Sequence, residues 1–552
     1  MHLLRTLALI ALAAPSWALQ AATLIHNFNG YQITEDGLET FNALTFEEGK
    51  VLAVGNHKAL SRQYPDAETV DAGGKTLLPG LIDAHGHVRE LGRLQQQLQL
   101  RDMSLPETLK AVEAFAQKLE PGQWLLGRGW NQVLWPGKEF PTRAQLDKLE
   151  VDNPIWLRRI DGHAGWANSA ALKLAGIGRD TRSPDGGEII FNKDGSPSGI
   201  LIDNAMSLLQ RAIPAPSLED DKISLKVAFD KALSLGLTGI HDAGVDRQTL
   251  TAYRQLAAAD EIPLRAYPMI AASDSRFAQL LEAGVIGEPE ERLFVRSIKL
   301  SADGALGSRG AALLEPYHDR PGETGLLLYP QSKILELLKL ATDRGFQVNV
   351  HAIGDRANHI VLNHLQTLHR DSDQKPFRHR VEHAQVLQTE DIPRFTQMDL
   401  IASMQPTHAT SDKNMAAARL GQERLEGAYA WQKFIQQGTP IAGGSDFPVE
   451  PANPLFGLHA AVTRRDRQGQ PLRGWRIEEA MTLPQALRAF TLDAAYASHQ
   501  EKVIGSLEAG KFADFILLDR DIFTIDPQEI WRTNVLETWV EGERVYIDPA
   551  TD

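Results

Sequence analysis

Two histidines one residue apart, His85 and His87, close the run Leu81-Ile82-Asp83-Ala84. Side chains two apart on an extended backbone face the same way, so both imidazoles can enter one pocket, and Gly86 between them leaves room for a neighbouring backbone. That spacing suits one metal ion. A lone H-x-H pair is a weak signal, but four further runs end in residues of matching chemistry. Lys299 interrupts Ser297-Ile298-Lys299-Leu300-Ser301 with a charge that is costly to bury unpaired. His351 closes Val348-Asn349-Val350-His351, His383 closes Arg380-Val381-Glu382-His383, and Asp446 follows Ile441-Ala442-Gly443-Gly444-Ser445. Each has a plainer reading: a histidine bonded to a core carbonyl, a lysine reaching outward, an aspartate capping a helix. Six such residues at the ends of five strand-like runs go beyond what packing alone predicts. The chain has no cysteine, so a metal here needs nitrogen and oxygen donors, and disulfides and cysteine nucleophiles are excluded.

These residues need elements to carry them. Eight strand-like runs alternate with longer amphipathic stretches, at 77–84, 237–242, 264–270, 297–302, 347–351, 380–383, 400–404 and 440–445. The pattern predicts an α/β fold, a (β/α)8 TIM-type barrel, in which functional groups gather at the strands' C-terminal ends. An open doubly wound sheet is the rival, yet no G-x-G-x-x-G loop follows the first strand. Short β-like runs with turns fill both ends of the chain and predict a composite β-sandwich from the N- and C-terminal segments. The stretch 125–214 reads as an insertion near the barrel mouth. The expected organisation is a signal peptide over 1–18, the first part of the sandwich over 19–76, the barrel over 77–500 and the second part of the sandwich over 501–552.

At 552 residues the chain is long enough for such a unit, and 43% hydrophobic with 23% charged residues describes an ordinary globular protein. A net charge of −14 argues against a nucleic-acid partner, whose phosphates need a basic surface. The start Met1-His2-Leu3-Leu4-Arg5, the apolar stretch 6–15 and the small residues Ser16 and Ala18 read as a cleavable signal, with cleavage expected near Ala18. That stretch is shorter than the roughly 20 residues that span a bilayer. A periplasmic or secreted protein without stable membrane insertion is therefore expected. Trp124, Trp130, Trp135, Trp156 and Trp166 gather aromatic surface in and just before the insertion. They read either as its own core or as a lid over an apolar substituent, and Trp130 and His163 are the candidates for substrate contact. Arg309, after the Lys299 run, is a candidate for a substrate carboxylate or for a surface ion pair.

The order H-x-H, Lys, His, His, Asp along successive strands resembles the amidohydrolase superfamily. The wording around these residues is similar to its amidohydrolase-3 branch, which includes N-substituted formamide deformylase. The matching phrases are PGLIDAHGH at 79–87, KLSADGALG at 299–307, VHAIGD at 350–355, EHA at 382–384 and GSDFP at 444–448, with DGH at 161–163 and NSAAL at 168–172 in the insertion. The resemblance covers nearly the whole mature chain. It implies one or two divalent ions, zinc being expected, with His85 and His87 on one, His351 and His383 on the other, and carboxylated Lys299 as the bridge. A carbamate offers two anionic oxygens to two dications where an amine does not. Glu382, Asp355 and Asp303 are the candidates to orient the ligating histidines. The implied activity is hydrolysis of a non-peptide C–N bond, in an amide or N-substituted formamide, by a metal-activated hydroxide, with Asp446 as both ligand and proton shuttle. Deamination or cyclic-amide opening on the same site, and a non-catalytic role in the envelope, are the alternatives. The partner is then a small-molecule amide, and a homodimer is left open. A serine triad is the weaker reading: no G-x-S-x-G elbow appears, and Gly443-Gly444-Ser445-Asp446 lacks the second flanking glycine.

Overall fold

The computed structural model describes residues 22–149, 151–159, 164–184, 187–371 and 377–551. The expected signal segment, 1–18, lies outside the described residues. Eight parallel strands form one sheet in chain order: β1 (Leu81–Gly86), β2 (Leu237–Val245), β3 (Arg265–Ala271), β4 (Ser297–Ser301), β5 (Gln347–Ala352), β6 (Arg380–His383), β7 (Ile401–Met404) and β8 (Ile441–Gly443). They are buried on both faces, which is why they read as short apolar runs without alternation. The ring closes beyond β8, where Asp446 N donates to His85 O at 2.7 Å and His87 N donates to Phe447 O at 2.8 Å. Closure therefore takes place among the candidate ligands themselves.

Helices cover the outside of the barrel. The helix Leu218–Leu233 is capped by Ser217, whose hydroxyl accepts from Asp220 N while Asp220 Oδ2 accepts from Ser217 N at 2.8 Å. Leu225, Ala228, Phe229, Ala232 and Leu233 on its inner face join the main core.

The run read as one strand at 77–84 divides in two. Thr76–Pro79 pairs antiparallel with Phe515–Leu518, whereas β1 enters the barrel. Gly80 joins them because a Cβ there would lie 2.1 Å from Thr238 Oγ1. Strands from both ends of the chain form one mixed sheet of eight. Thr23–Thr34, Gly37–Glu47, Lys50–Gly55, Glu68–Asp71 and Thr76–Pro79 come from the start, and Phe515–Leu518, Val535–Val540 and Glu543–Ile547 from the end.

Arg265, at the start of β3, ties the barrel to this sheet. Its guanidinium is almost fully buried, with Nε 2.8 Å from Asp514 Oδ2 and Nη2 2.9 Å from Glu541 Oε1, over the Phe512 ring. Removing one partner of such a buried set strands the others, so Arg265→Ala is expected to lower unfolding stability by about 3–5 kcal/mol. Denaturant titration with the wild type as reference checks this; a change below about 1 kcal/mol, the value of an exposed pair, shows the tie to be superficial.

A second sheet of six strands lies between β1 and β2 in the chain, in the order Gly187–Phe191, Pro197–Asp203, Ala164–Ala167, Ile155–Arg159, Leu125–Trp130, Leu98–Gln99. It starts ahead of the stretch 125–214 because Leu98 and Leu100 join Trp130, Trp135, Trp166 and Leu157 in a core of its own.

Candidate metal centre

His85 sits at the end of β1 with no exposed surface. Its Nδ1 lies 2.5 Å from Glu382 Oε2, on β6. A carboxylate only accepts, so Nδ1 carries the proton and the Nε2 lone pair is free. Around that Nε2 stand Lys299 Nζ at 3.1 Å and Asp446 Oδ1 at 3.6 Å. His383 is held in the same manner. Its Nδ1 is 2.7 Å from Gln405 Oε1, and Gln405 Nε2 donates to Ser403 O at 3.2 Å, which identifies Oε1 as the acceptor. The His383 backbone is left-handed, φ 70°, and so is that of Asp446, φ 59°. Such conformations are uncommon away from glycine, and here they mark the two strand ends that turn into the site.

Asp446 divides its oxygens. Oδ1 is 3.0 Å from His87 Nε2, and Oδ2 is 3.5 Å from His408 Nε2. Burial opposes its ionisation, but the hydrogen bond from His87 and the neighbouring His85, His383 and His408 outweigh it and hold the carboxyl well below the usual range. Burial also keeps His85 and His383 neutral far below their ordinary value and pushes His351 down to about 3. Neutral imidazole is the form that ligates a metal. Burial likewise lowers the proton affinity of the Lys299 amine, against the opposing pull of Glu382, Asp446 and Asp242.

The donor set fits a divalent ion. Ligand atoms of His85, His87 and Asp446 lie within 4.8 Å of one another, and so do those of His383, His408 and Asp446. Among the described residues, His351 Nε2 and His408 Nε2 are buried without a hydrogen-bond partner. The His351 ring stands edge-on to His383, centroids 4.5 Å apart. All six residues expected as ligands, His85, His87, Lys299, His351, His383 and Asp446, line one cavity of about 860 Å³.

The supporting acids sort differently from expectation. Glu382 orients His85 directly. Asp303 accepts from Ile353 N, Gly354 N and Ala312 N at 2.8–3.0 Å and lies 3.6 Å from His351 Nε2, with burial pushing its carboxyl up to about 7. Asp355 does not orient a histidine: its Oδ1 accepts from Leu314 N and Arg356 N, so it braces a loop and a helix start. Asp83, Gln405 and His408 escaped the sequence reading. Asp83 accepts from His85 N, Ser445 N and the Ser445 hydroxyl, clamping the closing edges of the ring, and burial raises its carboxyl to about 7. Gln405 and His408 stand just past the end of β7; the expected strand 400–404 pointed to this place in the barrel without marking either residue, because neither ends the apolar run as the other histidines do.

Two of the expected substrate contacts, Trp130 and Arg309, lie away from the cavity. Trp130 has no exposed surface; its indole donates to Leu157 O at 2.8 Å and packs with Trp135 and Trp166, because the insertion needs a core of its own. Arg309 pairs with Asp319, Nη2 to Oδ2 2.8 Å, and does not line the cavity. His163 lies outside the described residues.

Comparison with known proteins agrees with this geometry. The model of a family described as the amidohydrolase family matches residues 68–546. YtcJ of Bacillus subtilis, a protein named for the amidohydrolases, is 34% identical over 528 residues, covering 94% of this chain and 98% of that one. The N-substituted formamide deformylase of Arthrobacter pascens is 30% identical over 518 residues, covering 91% and 94%. An uncharacterized metal-dependent hydrolase from Pyrococcus horikoshii OT3 superposes with a TM-score of 0.75 at 26% identity, covering 92% of this chain and 99% of that one.

Proposed function

Because this chain belongs to the amidohydrolase family, we propose that it hydrolyses the C–N bond of a small amide or N-substituted formamide at the mouth of its barrel. The observation that carries the reading is the meeting of His85, His87 and Asp446 around one point, with the far nitrogen of His85 already fixed by Glu382. A divalent ion held there, zinc by the nature of its donors, would polarise the scissile carbonyl and make water nucleophilic near neutral pH. His383 with His351 or His408 would hold a second ion, and Lys299, carboxylated on its amine, would bridge the two.

The chain's own groups carry the rest. Asp446, anionic and within reach of His87, takes the proton of the attacking water and returns it to the departing nitrogen, since an unprotonated amide anion is a poor leaving group. Glu382 and Gln405 prevent ring rotation of His85 and His383. Leu306, Leu328, Tyr329 and Met415 supply apolar wall beside the ligands. Turnover of a panel of formamides, acyl amides and cyclic amides by metal-quantified protein, read by amine release, tests the proposal. Loss of amine release on chelation and its return on adding zinc supports it; amine release that persists in metal-free protein overturns it.

The reading of an exported protein rests on the pattern over 1–18. Protein recovered from its host is expected to begin within a few residues of Ala18 by N-terminal sequencing, and an intact Met1 refutes export by cleavage. Among the described residues no helix is long and apolar enough to cross a membrane.

A further inference from the structure

Asp412 is a cavity-wall carboxylate that neither holds nor orients any of the candidate ligands. It closes the helix Pro406–Asp412 and lines the same cavity. Its Oδ2 accepts from the Tyr429 hydroxyl at 2.8 Å and from Gln385 Nε2 at 3.0 Å, and Gln385 Nε2 also donates to the Tyr429 oxygen. Both supports are firmly placed: Tyr429 is 2% and Gln385 5% exposed. Among the described residues no lysine or arginine comes within ion-pair distance of Asp412, and neither its Oδ1 nor Gln385 Oε1 accepts a hydrogen bond. Gln385 lines the cavity too, so two open acceptor oxygens belong to one rigid cluster on its wall.

The charge of the remaining wall points the same way. Glu450 also lines the cavity without an ion-pair partner among the described residues. Lys299 is the single lysine or arginine lining it there, and its amine is turned to His85. A half-buried carboxylate held by two neutral donors, with no lysine or arginine beside it among the described residues and only the His408 imidazole acting on it, is costly and recovers that cost when a cationic N–H donor arrives. An anionic substituent meets repulsion at the same place.

We propose that Asp412, braced by Tyr429 and Gln385, is a specificity-determining residue that receives an ammonium or similar cationic N–H group carried by the substrate away from its scissile amide. This rests on the hydrolytic reading above and narrows it to amides bearing a positively charged substituent. A primary ammonium has three donors, enough to reach both Asp412 Oδ1 and Gln385 Oε1.

The test compares N-(ω-aminoalkyl)formamides of three to six carbons with N-alkylformamides of equal length, on metal-loaded protein. The wild type is expected to favour at least one aminoalkyl substrate by about tenfold or more in kcat/KM. Asp412→Asn is expected to abolish that preference while changing the neutral substrates less than about threefold. Tyr429→Phe, which removes one donor and keeps the ring, is expected to weaken the preference by a smaller factor and serves if the first variant does not fold. Binding of pentylguanidinium, a cation that keeps its N–H donors and stays protonated so that it does not ligate a metal, is followed by calorimetry and is expected to weaken about tenfold in Asp412→Asn, with pentanol unaffected. No preference at any chain length, or equal losses on cationic and neutral substrates, overturns the proposal. Asp412-dependent binding of the cation without hydrolysis of any formamide, acyl amide or cyclic amide of the panel keeps it and sinks the hydrolytic reading instead.

Discussion

Replacing Asp446 by asparagine is expected to slow turnover by about 10²- to 10⁴-fold while leaving the protein folded, the loss typical of a positioned general acid–base group. Asparagine has nearly the same shape, and it tolerates the left-handed backbone of this position, φ 59°, as readily as aspartate does. An amide oxygen can stay beside His87, so metal binding is weakened rather than abolished. Basicity is what disappears. The wild-type carboxyl is held ionised by His87, His85, His383 and His408, so it has an oxygen free to take a proton in transit although those neighbours weaken its basicity, whereas the amide takes none. The loss is expected mainly in kcat, because the proton moves in the transition state and a neutral amide gains little binding from the carboxylate before it. Formamides with better leaving groups are expected to lose less, since their nitrogen needs less protonation on departure. Steady-state kinetics on protein of verified fold and metal content decide the matter; a variant within about threefold of wild type removes Asp446 from the proton path.

Lys299→Ala is expected to cost one metal ion per chain and about 10²-fold or more in rate, since a metal's charge stabilisation is worth several kcal/mol. Nζ lies 3.1 Å from His85 Nε2, and burial lowers its proton affinity, which favours the neutral amine that adds carbon dioxide. If a carbamate is the bridge, formate, acetate or propionate supplied to the alanine variant should enter the vacated space and restore both metal and rate. Elemental analysis beside the rate provides the second readout. An alanine variant with unchanged metal content and rate shows that Lys299 is no bridge. The two oxygens of Asp446, facing His87 on one side and His408 on the other, are then the remaining anionic link, and His408→Ala should lose the second ion in place of Lys299→Ala.

The barrel and most of the candidate ligands that meet in its cavity were legible because of how barrel strands are built. A strand buried on both faces must be a short apolar run, and any polar residue ending it stands out against that background, as His85, His351, His383 and Asp446 do. The two-residue period of an extended chain places His85 and His87 in one pocket with no knowledge of the rest of the fold. Glu382 was legible by adjacency to His383, although it serves a different histidine. The left-handed backbone of His383 ends the alternation of β6, so Glu382 and His383 both reach His85, and only the closed ring brings β1 close enough for that meeting.

What remained hidden depends on contacts between segments far apart in the chain. Gln405 and His408 lie beyond β7 and become site residues because the chain there bends over the same end of the barrel as β6 and β8. Asp412 acquires its character from Gln385 and Tyr429, 27 and 17 residues away, and from the absence of a lysine or arginine beside it among the described residues. Trp130 misled because an aromatic side chain has the same composition whether it faces a substrate or a core. The six-stranded insertion had to fill its own interior, and Trp130, Trp135 and Trp166 filled it. Residue types and their period thus determined which groups could bind metal and on what kind of strand. Which histidine each acid orients, which oxygens stay open on the wall, and which aromatics are spent on packing were decided by ring closure and burial, and neither is a local property of the chain.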